Sequence, residues 1–282
     1  MILVIGATGN VGRHVLSQLQ AVGADGVRAL VRPDEAAEAG LPAGVEVAVG
    51  DLTDAPGLEA ALTGVDTVFL VWPMLTTEGA REVLEAIARH ARHVVYLSSI
   101  GVGGRPEERP DPIFTLHAGM EALVAEFGPS HTVLRADTIA SNTLGWADQI
   151  RTTGTVRGPL MPATAVIDPR DIAAVAARVL TGDAHRGATH RLTGPEVIGP
   201  PGQVRAIGAA VGRELRFEEV PVEQARERML ADGRPPVLVD ALLGAAEIRT
   251  ASTLVTSTVA DITGEPARTF QRWADDHRDS FR

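Results

Sequence analysis

The sequence predicts a doubly wound α/β fold, in which helices cover both faces of a parallel sheet, followed by a small, mostly helical lobe. Short β-branched runs alternate with stretches of helical periodicity through the first half of the chain. The runs are apolar almost throughout, which is typical of parallel strands buried on both faces. A glycine-rich turn at residues 6–12 joins the first run to the first helical stretch.

Each predicted element follows from these patterns. The strands are expected at residues 2–6, 27–31, 45–49, 66–71, 93–99, 131–136 and within 189–196. Helical spacing of Leu, Val and Ala covers 10–23, 55–64, 77–90, 114–128 and 168–182 in the sheet region, and 202–215, 222–233, 236–248 and 267–281 beyond it. Strand–helix alternation of this kind produces right-handed βαβ units. A long loop rich in Gly and Pro is expected at 101–112.

The composition narrows the classes of function. The chain has 282 residues, 45% of them hydrophobic, and a net charge of −10 without any basic cluster, so we expect no nucleic-acid partner. It has no cysteine, which excludes disulfides and thiolate chemistry. It opens on a strand pattern and has no membrane-length apolar run, so we expect a cytoplasmic protein with no membrane partner. All 26 lysine-or-arginine positions are arginines, which excludes any mechanism that needs a lysine.

The glycine-rich turn has the spacing of a phosphate-binding loop. Gly6 permits a tight turn, Gly9 lets the backbone approach a pyrophosphate, and Gly12 lets the following helix pack closely on the strand. The helix N-terminus then offers N–H groups and a positive dipole to the phosphates. The alternative is a glycine turn without a ligand. We predict a Rossmann domain over 1–138, to which 166–195 returns.

The end of the second strand indicates which dinucleotide is bound. No acid lies on this strand; Arg32 follows it and suits a 2′-phosphate, so we expect NADP(H), with Arg13 as a second candidate. Asp51 could accept from the adenine amino group or cap the next turn. The residues expected at the cofactor are Gly6, Thr8, Gly9, Asn10, Val11, Gly12, Arg13, Arg32, Asp51, Leu52, Val71, Trp72, Pro73 and Ser98.

With these residues placed, the sequence resembles the NmrA-like group of atypical short-chain dehydrogenases/reductases. The resemblance rests on the order of "GATGNVGRHV", "VRALVR", "GDLTD", "VVYLSSIGV", "HAGMEALV", "TVLRADTIASN", "IDPRDIAAVA", "LTGPE" and "ARTFQRWADDH". It implies a small substrate lobe, which we assign to 139–165 and 196–266, followed by a terminal helix over 267–282. It also implies a small-molecule substrate, and a homodimer is one open alternative for the assembly. Ala136 and Asp137 depart from the pattern of the group, in which proline and a small residue are common.

His117 and Glu121 lie four residues apart on the helix that follows the fifth strand. Ordinary short-chain reductases carry a Tyr-x-x-x-Lys pair at this point, and this chain has neither residue there. Three interpretations compete: metal ligands, a solvated helix face, or site residues in which His117 donates a proton and Glu121 holds the imidazole. The other histidines are scattered, so we expect no metal. The resemblance favours a site role.

Further candidates lie at the carboxyl edge of the predicted sheet. Ser99 could bond a substrate oxygen or cap the strand end, whereas a serine-hydrolase role is disfavoured because no G-x-S-x-G motif is present. Trp72 and Met74 are pocket walls or core. The residues expected at the substrate are Met74, Asn142, Trp146 and Met161.

Three functions remain open from the sequence. The first is an NADPH-dependent reductase of a small aromatic, quinone-like or ketone substrate by direct hydride transfer. The second is an NADP(H)-sensing regulator that binds a protein partner without turnover, which the missing Tyr/Lys pair equally allows. The third is a cofactor-dependent isomerase or epimerase.

Overall fold

The computed structural model describes residues 1–36, 40–103, 111–248 and 251–282. Its strands are β1 (Ile2–Ile5), β2 (Val27–Val31), β3 (Glu46–Val49), β4 (Thr67–Leu70), β5 (His93–Ser99), β6 (Ser130–Ala136), β7 (Thr155–Gly158), β8 (Thr189–Leu192) and β9 (Arg216–Glu219). Seven of them form one parallel sheet in the order β3-β2-β1-β4-β5-β6-β8. This confirms the predicted Rossmann-like fold.

The helices of the described residues are α1 (Gly12–Ala21), α2 (Ala55–Leu62), α3 (Ala80–His90), α4 (Pro112–Phe127), α5 (Ala147–Thr153), α6 (Pro169–Thr181), α7 (Pro200–Val211), α8 (Val222–Ala231), α9 (Pro236–Ile248), α10 (Thr258–Thr263) and α11 (Phe270–Asp276). Two helices that flank the sheet begin at a capping aspartate followed by proline. Asp111 accepts from two first-turn amides of α4, and Asp168 accepts from one of α6. Local sequence therefore sets where α4 begins.

The sheet separates two apolar layers. On one face, α1 and α6 pack against strand residues such as Val4 and Ala29. On the other, α2, α3 and α4 pack against Leu3, Val68 and Tyr96. Because β1 and β4 are neighbours and the helices after them lie on opposite faces, a crevice opens at the carboxyl ends of these two strands. Ligands of such sheets bind in this crevice.

The C-terminal region contains elements that the sequence did not predict. β7 and β9 form a two-stranded parallel sheet in the lobe that was expected to be mostly helical. Both strands are four residues long and partly exposed, so neither contains an apolar run from which a strand could be predicted. The terminal helix is also shorter than expected, because α11 ends at Asp276 and a 3₁₀ turn, Arg278–Phe281, follows.

The two C-terminal helices contact different parts of the molecule. Val259 of α10 belongs to the core between the sheet and α6. Phe270 and Trp273 of α11 instead pack with Val204 and Ile207 of α7. The division into sheet domain, lobe and terminal helix stays a proposal.

Two other expectations concern the loop and the membrane. Most of the predicted 101–112 loop, residues 104–110, lies outside the described residues. Among the helices that the structure describes, none has the length and apolarity needed to cross a bilayer.

Candidate active site

The phosphate loop has the geometry that its glycines predict. Gly6 adopts a φ of +80°, and a β-carbon on it would lie 2.9 Å from Cβ of Val71. A β-carbon on Gly12 would lie 2.0 Å from the Gly6 carbonyl oxygen, which no side chain tolerates. The α1 N-terminus has no side-chain cap, so its positive dipole end faces the loop, although the N–H groups of Arg13 and His14 already donate to the carbonyl oxygens of Gly9 and Val11. This tight cradle fits the pyrophosphate of a dinucleotide.

Arg13 lies against the loop itself. Its guanidinium donates to the carbonyl oxygens of Thr8 at 2.8 Å and Gly9 at 3.2 Å. These two bonds stabilise the phosphate loop. The guanidinium of Arg13 is therefore used within the loop, whereas the sequence had suggested it as a second contact of the 2′-phosphate beside Arg32. Asn10 is exposed beside it and Val11 is buried.

Arg32 follows β2 as predicted, but it already has acidic partners. Its Nη2 donates to Glu35 Oε1, and its Nε lies 3.7 Å from Asp34 Oδ1. The other oxygen of Glu35 accepts a 2.7 Å bond from the Thr8 hydroxyl. Arg32, Glu35 and Thr8 thus form a network on the rim of the phosphate loop, which we call the rim triad.

Asp51 and Leu52 lie after β3, where the adenine was expected. One oxygen of Asp51 accepts from the backbone N–H of Thr53 at 2.8 Å and from its hydroxyl at 2.7 Å. These bonds lower the pKa of Asp51. The carboxylate has the capping role that the sequence allowed, while Leu52 packs against the neighbouring core.

A cavity of about 1820 Å³ opens beside the carboxyl ends of β4, β5 and β6. It extends from Val71, which abuts the phosphate loop, to α8 in the C-terminal lobe. Of the residues predicted at the site, its walls contain Val71, Trp72, Ser98, Ser99, His117, Asn142, Trp146 and Met161. Residues from distant parts of the sequence therefore meet in one space.

Several predicted residues lie outside the cavity walls of the described chain. Glu121 is beneath the cavity, between α4 and the sheet. Met74 packs on the core, and Pro73 is exposed. Trp72, by contrast, belongs to both the core and the cavity wall, and its indole N–H donates to the Thr76 carbonyl at 2.8 Å. Met74 has the core position that the sequence left as an alternative.

His117 is held by a tyrosine. Its Nδ1 lies 2.7 Å from the hydroxyl of Tyr96, a fully buried residue in the middle of β5. Burial, and then the nearby charge of Glu121, raises the pKa of Tyr96 above its usual range. The phenol therefore stays protonated and can donate to Nδ1, which would place the imidazole proton on Nε2.

Glu121 has different partners from those expected. Arg135 of β6 donates to its two carboxylate oxygens at 2.9 and 2.6 Å, and the Ser98 hydroxyl donates to Oε1 at 2.5 Å. No hydrogen bond between Glu121 and His117 is formed within the described residues. The expectation that Glu121 orients the imidazole is thus replaced by a partly buried network of Arg135, Glu121 and Ser98, which we call the floor triad.

Asp137, the departure noted in the sequence, also lines the cavity. It is buried and accepts from the backbone N–H groups of Thr138 at 2.6 Å and Ala165 at 3.2 Å. Burial raises its pKa. The carboxylate ties the end of β6 to the segment that returns before α6.

Sequence reasoning missed Tyr96, Arg135 and Glu35. For the first two, strand alternation was an available signal: Tyr96 and Ser98 point to the same face of β5, and Arg135 is paired with Ser98 in the register of β5 and β6. That is the face on which α4 packs. Glu35 had no comparable signal, because its contacts depend on how the chain turns after β2.

The fold and site define a class: a Rossmann-type protein with a phosphate loop at the sheet's switch point and a substrate-sized cavity beside it. Residues 1–253 match the NmrA-like family. The chain belongs to this family, as its sequence suggested.

Two named reductases are similar to the chain over its full length. The chain is 41% identical to a (4-alkanoyl-5-oxo-2,5-dihydrofuran-3-yl)methyl phosphate reductase of Streptomyces griseus, covering 100% of this chain and 99% of the relative. It is 35% identical to an NAD(P)H azoreductase of Xenophilus azovorans, covering 100% and 99%.

A solved structure has the same fold. The NADPH complex of a quinone oxidoreductase from Escherichia coli superposes with a TM-score of 0.81 at 24% identity, covering 98% of this chain and 99% of that one.

Proposed function

We propose that this chain is an NADPH-dependent reductase that transfers hydride directly to a small conjugated acceptor, quinone-like or aromatic, or to a ketone. One observation carries the proposal: a single cavity joins Val71, which abuts the phosphate loop, to Ser99 and His117. A nicotinamide bound there would supply hydride from its C4 carbon. Arg32 is the candidate for the 2′-phosphate.

The residues of the cavity wall suit an acceptor oxygen. Ser99 Oγ makes no hydrogen bond within the described residues, so it can donate to a substrate oxygen. If the Tyr96 phenol donates to Nδ1 of His117, the neutral imidazole carries its proton on Nε2 and can donate it from there. In this proposal His117 is the acid and Tyr96 is a positioning residue. Glu121 supports the floor beneath them.

A conjugated acceptor matches the absence of a Tyr/Lys pair. Hydride addition to a quinone gives a stabilised phenolate, which needs little help from an acid, whereas a simple ketone gives an alkoxide that needs a proton. The acceptors named for the relatives, an acyl dihydrofuranone, an azo compound and a quinone, are all conjugated. This chemistry supports the proposal without selecting one substrate.

Full-length similarity to named reductases also favours catalysis over the sensing role. A sensor would bind the dinucleotide without consuming it. Measurable oxidation of NADPH by any member of a panel of quinones, azo dyes, acyl butenolides and ketones would exclude a purely sensing function. Tight binding of NADPH with no turnover across the panel would contradict the reductase proposal.

Two variants test the residue roles. We expect His117→Ala to lower kcat for a simple ketone about 100-fold while changing quinone turnover less than about threefold, because only the ketone needs the acid. Tyr96→Phe should leave quinone turnover unchanged and lower ketone turnover about tenfold, with a displaced pH profile, because the Nδ1 partner is lost. Equal ketone turnover by wild type and His117→Ala would show that His117 is not the acid.

A further inference from the structure

The rim triad places an acid where a 2′-phosphate would have to bind. Glu35 contacts the Arg32 guanidinium with one carboxylate oxygen and the Thr8 hydroxyl with the other, at 2.7 Å. The Arg32 bond, followed by the Thr8 bond, lowers the pKa of Glu35. The carboxylate is therefore ionised at neutral pH and bridges the end of β2 to the phosphate loop.

The charge of Arg32 is also compensated by other acids. The Glu35 bond raises the pKa of Arg32 most, followed by Asp34, which lies 3.7 Å from Nε, and more weakly by Asp51. Arg13, the second cation that the sequence suggested, is bonded to the loop carbonyls. An arriving phosphate dianion would thus meet Arg32, which is already paired, together with the carboxylates of Glu35, Asp34 and Asp51.

We propose that Glu35 sets the choice between NADPH and NADH and makes the preference for NADPH shallow. A 2′-phosphate reaches Arg32 only by displacing the Glu35 carboxylate, whereas the ribose 2′-hydroxyl of NADH can donate to that same carboxylate. The chain then accepts both cofactors. This inference rests on the proposed dinucleotide site and concerns selectivity within it.

Calorimetric titration with a matched ligand pair tests the proposal without turnover. The probes are ADP-ribose and 2′-phospho-ADP-ribose, which differ only at the 2′ position. The proteins are the wild type, Glu35→Gln and, as matched control, Asp34→Asn. The control removes the same charge from a carboxylate that touches Arg32 but not Thr8. Equal thermal midpoints for the three proteins would show that folding is unaffected.

We expect wild type to bind the two probes within about tenfold of each other, since an exposed charge pair discriminates weakly. Glu35→Gln should strengthen 2′-phospho-ADP-ribose binding about three- to tenfold without strengthening ADP-ribose binding, and Asp34→Asn should give less than half of that gain. An unchanged ratio in Glu35→Gln, or an equal gain in both variants, would overturn the role of Glu35. Failure of wild type to bind either probe would instead overturn the dinucleotide site.

Discussion

The floor triad and the rim triad each combine an arginine, a glutamate and a hydroxyl group, but they differ in how far their side chains are buried. The floor triad joins Arg135, Glu121 and a serine hydroxyl between α4 and the sheet, with the Arg135 and Glu121 side chains 18% and 13% exposed. The rim triad joins Arg32, Glu35 and a threonine hydroxyl beside the phosphate loop, with those of Arg32 and Glu35 55% and 32% exposed.

This difference decides what each trio can do. Removing one member of a buried ion pair leaves an uncompensated charge in a poorly solvated place. Water replaces a lost partner at an exposed pair, so such pairs contribute little to folding and exchange partners easily. The floor triad is therefore expected to hold the site together, and the rim triad to exchange its partners for a ligand.

The largest effect is expected when the floor triad loses its carboxylate. Glu121→Gln keeps the shape of the side chain but leaves the partly buried Arg135 guanidinium without a counter-charge. We expect the free energy of unfolding to fall by about 3 kcal/mol, measured by chemical denaturation. Glu35→Gln is the matched control at the rim and should leave the denaturation midpoint unchanged. Comparable losses in both variants would break the distinction between the two triads.

A buried histidine, His93, provides a second comparison. His93 begins β5 at the opposite edge of the sheet, is 1% exposed, and bonds through Nε2 to the Thr132 hydroxyl at 3.0 Å. Burial, with a smaller contribution from Arg186, lowers the pKa of His93 to about 4. The folded protein therefore resists protonation at this position.

The sign of the pH dependence follows from this lowered pKa. As pH falls below about 6.5, His93 becomes protonated in the unfolded chain. In the folded chain it stays neutral until the pH approaches about 4. We expect the free energy of unfolding to fall by up to about 3 kcal/mol across this window. His14 and His190, whose pKa values burial also lowers, act in the same direction.

The measurement is denaturation at several pH values for wild type and His93→Gln, which retains an N–H donor. The variant should lose less stability between pH 6.5 and 4 than wild type does. Parallel curves for the two proteins would show that His93 does not supply this pH dependence. Glu121→Gln should be measured in the same pH series. It shows the effect on stability of removing a counter-charge, whereas His93→Gln shows the effect of burying a titratable group.

The two triads also show what a sequence can reveal. The phosphate loop was predictable because its three glycines, a preceding strand and a following helix are local in the chain. The position of Arg32 directly after β2 was predictable for the same reason, while its role at the cofactor stays a prediction. The seven-stranded sheet followed from apolar runs, yet β7 and β9, short and polar, gave no such signal.

Side-chain partners across the fold were harder to predict. The helical spacing of His117 and Glu121 suggested that they act on each other, but packing of α4 on β5 and β6 gives each a partner in the sheet instead. Spacing along a helix fixes which residues share a face; it does not fix which strand residues that face meets. The cavity, built from β4, β5, α4 and the C-terminal lobe, depends on the same long-range packing.

The smallest and cleanest comparison removes only the two hydroxyls. Ser98→Ala deletes the donor to Glu121 but leaves both bonds from Arg135, so we expect a loss of about 1 kcal/mol of unfolding free energy. Thr8→Val deletes the matching donor to Glu35 at the solvated rim and should change stability by less than about 0.5 kcal/mol. Denaturation of both variants in one buffer measures the difference directly. If Thr8→Val were the more damaging variant, the phosphate-loop rim would be the rigid element and the floor beneath His117 the adaptable one.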